Sequence, residues 1–117
     1  RTSAAWILPE GADASAMTRS IPLEKALDDC LVATHMNGER LRPEHGYPVR
    51  LVVPGWEGNM WVKWLRRIEV MDGPVESREE TSKYTDTLED GTSRKWTWVM
   101  DAKSVVTSAS PQSPITH

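Results

Sequence analysis

His45, Arg50 and Lys63 fall within one short stretch, HGYPVRLVVPGWEGNMWVKW. His45 and Arg50 are five positions apart across Pro48, and Lys63 follows the Gly-bearing loop PGWEGNM. Cationic side chains beside the exposed N–H groups of a glycine turn are what a phosphate or pyrophosphate-like group requires. If neighbouring strands carry all three to one rim, the stretch predicts an anion site. The plainer reading uses the same residues: His45 caps a turn, Arg50 sits in an ion pair, and Lys63 belongs to a solvated face. Spacing alone leaves both readings open.

Other residues offer chemistry one at a time. Asp13, in EGAD, can accept hydrogen bonds from a ligand or satisfy its own turn. Tyr84 lies in a polar run between Lys83 and Thr85, where a phenol can donate to a substrate oxygen or rest on the surface. Cys30 follows two aspartates and has no adjacent cation to favour a thiolate, so it reads as structural. His35 and His117 have no partner at a metal-ligand offset, and no Ser-His-Asp spacing is persuasive. Trp56, Trp61, Trp64, Trp96 and Trp98, with Arg66 and Arg67, permit a single-stranded nucleic-acid reading. A chain with no Phe and two Tyr needs its tryptophans for core volume, however, and a net charge of −3 argues against a phosphate-tracking groove.

The elements that must position these groups belong to one unit. At 117 residues, 38% hydrophobic and 26% charged, the chain is globular, with a modest core and no room for two ordinary domains. A single cysteine excludes an internal disulfide and a Cys-rich metal motif. No run approaches the ~18 apolar residues of a membrane span, and no export signal is legible. The start at Arg1, running at once into SAAWIL, suggests a piece of something longer.

Residues 4–8 read as a strand stopped by Pro9 and the turn residues of PEGAD. Ser20, Pro22 and Glu24 mark the start of a helix over residues 22–28. Residues 31–36 are extended up to the Asn37-Gly38 turn. Residues 49–53 form a buried strand bounded by Pro48 and Pro54-Gly55. A strand over 61–70 would put Val62, Trp64, Arg66, Ile68 and Val70 on one mainly apolar face. Asp72-Gly73-Pro74 ends it, and 75–91 is a long polar loop. KWTWVM (95–100) and residues 104–108 read as further strands, and the tail SASPQSPITH as a linker.

The series SIPLEKALDD, MNGERLRPEHGYPVRLVVPGWEGNMWVKWLRRIEV and REETSKYTD resembles the molybdopterin domain of the sulfite oxidase family, over residues 5–111. The ending ETSKYTDTLEDGTSRKWTWVMDAKSVVT is most similar to the branch that oxidises sulfane sulfur. The resemblance implies an α+β, strand-rich fold. Residues 1–108 would be part of the molybdopterin-binding domain, and 109–117 a linker into an immunoglobulin-like dimerisation domain. It implies that Asp13, His45, Arg50, Trp61, Val62 and Lys63 contact a molybdenum–molybdopterin cofactor, Trp61 mainly through its backbone. Tyr84, twenty-one positions beyond Lys63, matches the family's active-site phenol.

Implied too are a sulfur oxyanion or carrier-bound sulfane substrate, electron transfer to a c-type cytochrome, a periplasmic location, and a homodimer or heterotetramer without nucleic-acid or membrane partners. The family's molybdenum-ligating cysteine precedes this segment, and Cys30 does not match it. No metal ligand is therefore expected here, and the isolated chain is expected to be inactive. The rival expectation is a β-rich binding or scaffold module that keeps the fold without the cofactor.

Overall fold

Ile7, Ile21, Leu51, Val53, Met60 and Val62 are withdrawn from water together, and the elements of the chain are arranged around them. The computed structural model describes residues 3–75, 85–95 and 98–105. Strand β1 (Trp6–Gly11) lies between β2 (Ile21–Pro22) and β7 (Leu65–Met71), all antiparallel. Ile7 pairs with Ile21 on one side and with Val70 on the other. Full burial of one such aliphatic side chain stabilises by about 1.5–3 kcal/mol.

The expected stop at Pro9 does not occur. Pro9 is a paired strand residue, opposite Ile68. Its carbonyl accepts from Arg19 N–H at 3.4 Å, and Gly11, two residues on, donates to Met17 at 3.1 Å. The backbone groups of Pro9 therefore face the 17–19 segment, so the missing N–H removes nothing from the ladder to β7. The register with β7 slips between Glu10 and Gly11, where the chain leaves the sheet.

Helix α1 (Leu23–Asp28) matches the expected span, but Ser20 does not cap it. The Ser20 hydroxyl instead donates to Val75 O at 2.9 Å and accepts from Val75 N–H at 3.0 Å, tying the helix approach to the segment after β7. Lys25 anchors the helix outward, through Pro54 O at 2.9 Å and Asp29 at 2.6 Å. Strand β3 (Leu31–Ala33) pairs with β6 (Arg50–Val52). Strands β4 (His35–Met36) and β5 (Glu39–Arg40) form a hairpin. Asn37 and Gly38 close it at φ 53° and 80°, the left-handed pair that matches the twist of a two-residue hairpin.

The strand expected over 61–70 begins only at Leu65. Gly58–Met60 is a 3-10 turn, and Trp64 takes φ 53°, a left-handed conformation that breaks the alternation. The break resets which side faces inward: Val62 and Leu65 both reach the core, whereas Ile68 and Val70 are 41% and 57% exposed. The face expected to be mainly apolar is thus buried at Val62 but exposed at Ile68 and Val70.

The loop expected over 75–91 contains strand β8 (Thr85–Thr87), which pairs with β9 (Ser93–Lys95) across a turn closed by Asp90 and Gly91. Residues 76–84 lie outside the described residues. So does part of the strand expected over 95–100; its described end is a bridge of Val99 to Trp56. Ser104 and Val105 are exposed and not in a strand, and 106–108 lie outside the description. Residues 98–100 lie along 55–57, with Glu57 N–H donating to Trp98 O at 2.7 Å and Met100 N–H to Gly55 O at 3.0 Å. There the Trp56 and Trp98 rings stack at 4.8 Å, with Trp6 edge-on to Trp98 at 5.9 Å.

The β1–β7 seam carries one buried acid. Glu10, 6% exposed, accepts from Arg66, with Nε at 2.6 Å, and from Arg67 Nη2 at 2.9 Å. The Arg66 hydrogen bond, with both guanidinium charges behind it, holds the carboxyl below its ordinary value of 4.5 against the opposing effect of desolvation. A depressed folded-state pKa adds stability above the unfolded value, and that stability is lost as pH falls through the folded one. Stability is therefore expected to decline below about pH 4.5. Urea midpoints of wild type and Glu10→Gln, measured across that range, should converge as pH falls; parallel curves would remove Glu10 from the acid dependence.

Candidate functional site

Three backbone hydrogen bonds fix the bend at 61–64. Leu51 N–H donates to Val62 O at 2.9 Å, Ala12 N–H to Trp64 O at 2.8 Å, and Leu65 N–H to Val49 O at 2.9 Å. The bend is thereby held between β6 and the loop that follows β1, with Lys63 at its middle. Its other support is the 3-10 turn Pro43–His45, which ends at Gly46 with φ 106°. Lys63 Nζ donates to Glu44 O at 3.1 Å and Trp64 Nε1 to Pro43 O at 2.9 Å. Lys63 also lies over the Trp64 ring, 4.6 Å from its centre.

Arg50 and Lys63 meet at Gly46. A Cβ built on that glycine would lie 3.0 Å from Lys63 Cβ and 3.1 Å from Arg50 Cβ, so both side chains leave the backbone at one place. From there they diverge. The Arg50 guanidinium turns inward, donating to His45 O at 3.1 Å and Trp61 O at 3.4 Å, and packs 5.4 Å from the centre of the Trp61 ring. Desolvation there lowers its pKa from the ordinary arginine value, the expected direction for a partly buried cation.

Beside the bend is a hollow of about 280 Å³ whose walls include Gly11, Asp13, Arg19, Trp61, Val62 and Lys63. Of the expected contact residues, Asp13, Trp61, Val62 and Lys63 line it. His45 instead borders a second hollow of about 230 Å³ beneath the β4–β5 hairpin, and Arg50 stands behind His45 and Trp61. The expected set is thus split between two adjacent recesses, with Lys63 reaching from the first toward Glu44. Tyr84 lies outside the described residues.

The polar atoms left over are informative. Asp13 Oδ1, His45 Nδ1 and Arg50 Nε are withdrawn from solvent without a hydrogen-bond partner; the fourth such atom among the described residues, Asp29 Oδ1, lies 2.6 Å from Lys25 Nζ. An unsatisfied buried polar atom costs about 1–3 kcal/mol, and three such atoms lie around one bend. Asp13 is held by Ser15, whose hydroxyl donates to Oδ2 at 2.8 Å, which leaves Oδ1 free to accept from a ligand N–H. The set mixes a carboxylate acceptor and an imidazole with two cations, Arg50 and Lys63, which suits a group that is a hydrogen-bonding heterocycle at one end and an anion at the other. Among the described residues no group of three or more His, Cys, Asp or Glu is placed to hold a metal.

Sequence reasoning missed Arg19, Gly46 and the bend at Trp64. Arg19, in MTRSIP, reads as a loop cation yet is 1% exposed in the wall of the hollow. Its one local signal is its place beside Ser20 and Ile21, which are equally buried.

The profile of the family described as "Oxidoreductase molybdopterin binding domain" matches residues 1–79. The crystal structure of the sulfane dehydrogenase SoxCD from Paracoccus pantotrophus superposes with a TM-score of 0.90 at 66% identity, covering 100% of this chain and 30% of that one. Mitochondrial sulfite oxidase of Drosophila melanogaster is 42% identical over 85 residues, 67% of this chain and 15% of that protein. NADPH nitrate reductase of Mycosarcoma maydis is 60% identical over 53 residues, 43% of this chain and 5% of that protein. The chain thus spans less than a third of the length of each.

Crowding at Gly46 gives a direct test of the bend. Gly46→Ala adds both the left-handed strain and contacts of 3.0–3.2 Å, whereas at Gly55, φ 75°, a Cβ meets nothing within 4 Å. Gly55→Ala should cost about 1–2 kcal/mol from φ alone, and Gly46→Ala clearly more. Equal urea midpoints for the two variants would show that Arg50 and Lys63 do not converge there.

Proposed function

Because the chain belongs to the oxidoreductase molybdopterin-binding domain family, we propose that it forms part of a molybdenum-dependent enzyme that oxidises sulfite or carrier-bound sulfane sulfur. The observation that carries this reading is the trio of unpartnered buried atoms on Asp13, His45 and Arg50 around Lys63. Molybdopterin offers both the N–H groups and the phosphate that these atoms lack. Support for a sulfur substrate over nitrate comes from the sulfane dehydrogenase, 66% identical along 100% of the chain, where the nitrate reductase of Mycosarcoma maydis is 60% identical along 43% and that of Neurospora crassa 46% along 63%.

In this reading Asp13 Oδ1 accepts from the pterin, and His45 and Lys63 hold its anionic end. Arg50 sets the positions of the His45 and Trp61 backbones while lending charge from behind. Lys63 exchanges the Glu44 carbonyl for the ligand. Trp61 and Val62 present backbone and an apolar wall. When bound, the cofactor supplies the oxygen-atom and electron chemistry, and the protein supplies orientation, charge and exclusion of water. Tyr84 donates a hydrogen bond to the substrate oxygen. Cys30 packs against the core and burial pushes its thiol pKa up, so it is a poor thiolate ligand; the metal's cysteine is assigned to a segment outside these 117 residues.

Residues 1–108 then form part of the molybdopterin domain, and 109–117 lead into an immunoglobulin-like dimerisation domain. Electrons pass to a c-type cytochrome subunit in a periplasmic assembly, a homodimer or heterotetramer. Among the described residues no helix is long and apolar enough to cross a membrane.

The full-length protein should purify with near-stoichiometric molybdenum and a pterin detectable by fluorescence after its release; neither being present would leave the scaffold reading standing instead. Arg50→Ala should lower cofactor affinity about ten- to a hundredfold, read as lost molybdenum, and full occupancy would contradict the anchoring role. Tyr84→Phe should keep the cofactor and lower turnover about a hundredfold; unchanged turnover removes Tyr84 from the reaction.

A further inference from the structure

Arg19 is an unusual residue to find among the most buried side chains of a small domain. It is 1% exposed, as deep as Met60 and Ser20, although a guanidinium is among the costliest groups to take from water. Its bonds explain what it gains. Nε donates to Asn59 O at 3.2 Å, Nη1 to Thr18 O at 3.3 Å, and Nη2 approaches Met17 Sδ at 3.7 Å. The first spans forty residues of chain.

The two segments it joins both line the hollow beside the bend. On one side, Met17–Arg19 is held to β1 by Gly11 N–H to Met17 O and Arg19 N–H to Pro9 O, and it carries the loop that bears Asp13. On the other, Asn59 belongs to the turn Gly58–Met60, which passes directly into the bend: Trp61 N–H donates to Gly58 O at 3.1 Å, and Val62 N–H to Met60 O. Asp13, Met17, Arg19, Asn59, Trp61 and Lys63 all line the same hollow.

We infer that Arg19 is a positioning residue for the molybdopterin site: its buried guanidinium braces the Gly58–Met60 turn against the Asp13 loop, setting the width of the hollow. The inference rests on the functional reading above for the identity of the occupant, but not for the brace. The planar fork suits the task, since one side chain reaches acceptors on two segments in a fixed geometry that a flexible ammonium does not reproduce.

Two measurements separate the brace from its consequence. In the cofactor-free protein, Arg19→Met should raise amide hydrogen exchange at Met60, Trp61 and Val62 by about tenfold or more, leaving Leu41, whose N–H is held by Thr34 O, unchanged. Exchange unaltered at the three amides overturns the brace. In the full-length protein as purified, Arg19→Met should lose bound pterin and molybdenum, about ten- to a hundredfold in affinity. Arg19→Lys, which keeps the charge, should recover part of it. Ile21→Val, a neighbouring core change outside the hollow, serves as the comparison: it lowers stability without emptying the site. Arg19→Met at wild-type pterin content, or pterin loss equal to that of Ile21→Val at matched thermal stability, overturns the positioning role. A wild type without pterin, with the exchange effect intact, overturns the cofactor reading while the brace stands.

Discussion

The bend from Trp61 to Trp64 is the constraint on which the rest of the site depends. Its Val62 and Trp64 carbonyls are each taken by a different segment, β6 and the loop after β1, and Leu65 is taken by the residue preceding β6. A chain so held cannot remain in strand conformation, and Trp64 accepts a left-handed φ that costs a bulky residue about 1–3 kcal/mol. The return is local and specific. Lys63 is carried to the rim, the Trp61 carbonyl is turned toward Arg50, and Trp64 reaches back to Pro43. Strain of this sort persists where the surroundings over-determine it, and here three backbone bonds do so.

Two glycines make that arrangement sterically possible. Gly46 lets Arg50 and Lys63 leave the backbone side by side, and Gly11 brings the β1 end within 2.9 Å, measured from an imagined Cβ, of the Lys63 carbonyl. The two side chains therefore start side by side because no third side chain stands between them, before their charged ends part toward different carbonyls. Acidic net charge overall and a cationic corner locally are compatible because the corner is built by close approach and partly shielded, not by composition.

Much of this was legible in the sequence where the signal is local. Asn37-Gly38 specifies its turn by left-handed tolerance, residues 49–53 are a β-branched run between prolines, and LEKALD forms its helix where propensity puts it. The errors came where a distant partner decides. Pro9 is a breaker by composition, but its backbone faces a segment that needs no N–H from it. Ser20 has the form of a cap, yet its hydroxyl is claimed by Val75, fifty-five residues on. Alternation over 61–70 cannot foresee that Trp64 resets the phase. Arg19 was invisible because its acceptor, Asn59, is forty positions away. His45, Arg50 and Lys63 were legible as a group by spacing, but their division between two recesses depends on side-chain directions that spacing does not encode.

The stacked indoles of Trp56 and Trp98 have an optical consequence. Two chromophores stacked 4.8 Å apart couple their electronic transitions, and a twist between their transition dipoles turns that coupling into circular dichroism that neither gives alone. The rings meet only because residues 98–100 lie along 55–57, so this coupling reports on one seam of the fold. Trp61 and Trp64 line the hollow, with Trp61 tied to that seam by its Nε1, which donates to Trp56 O at 3.2 Å. A chain without phenylalanine therefore carries, in its tryptophans, one signal for the docking of a segment and another for what enters the cleft.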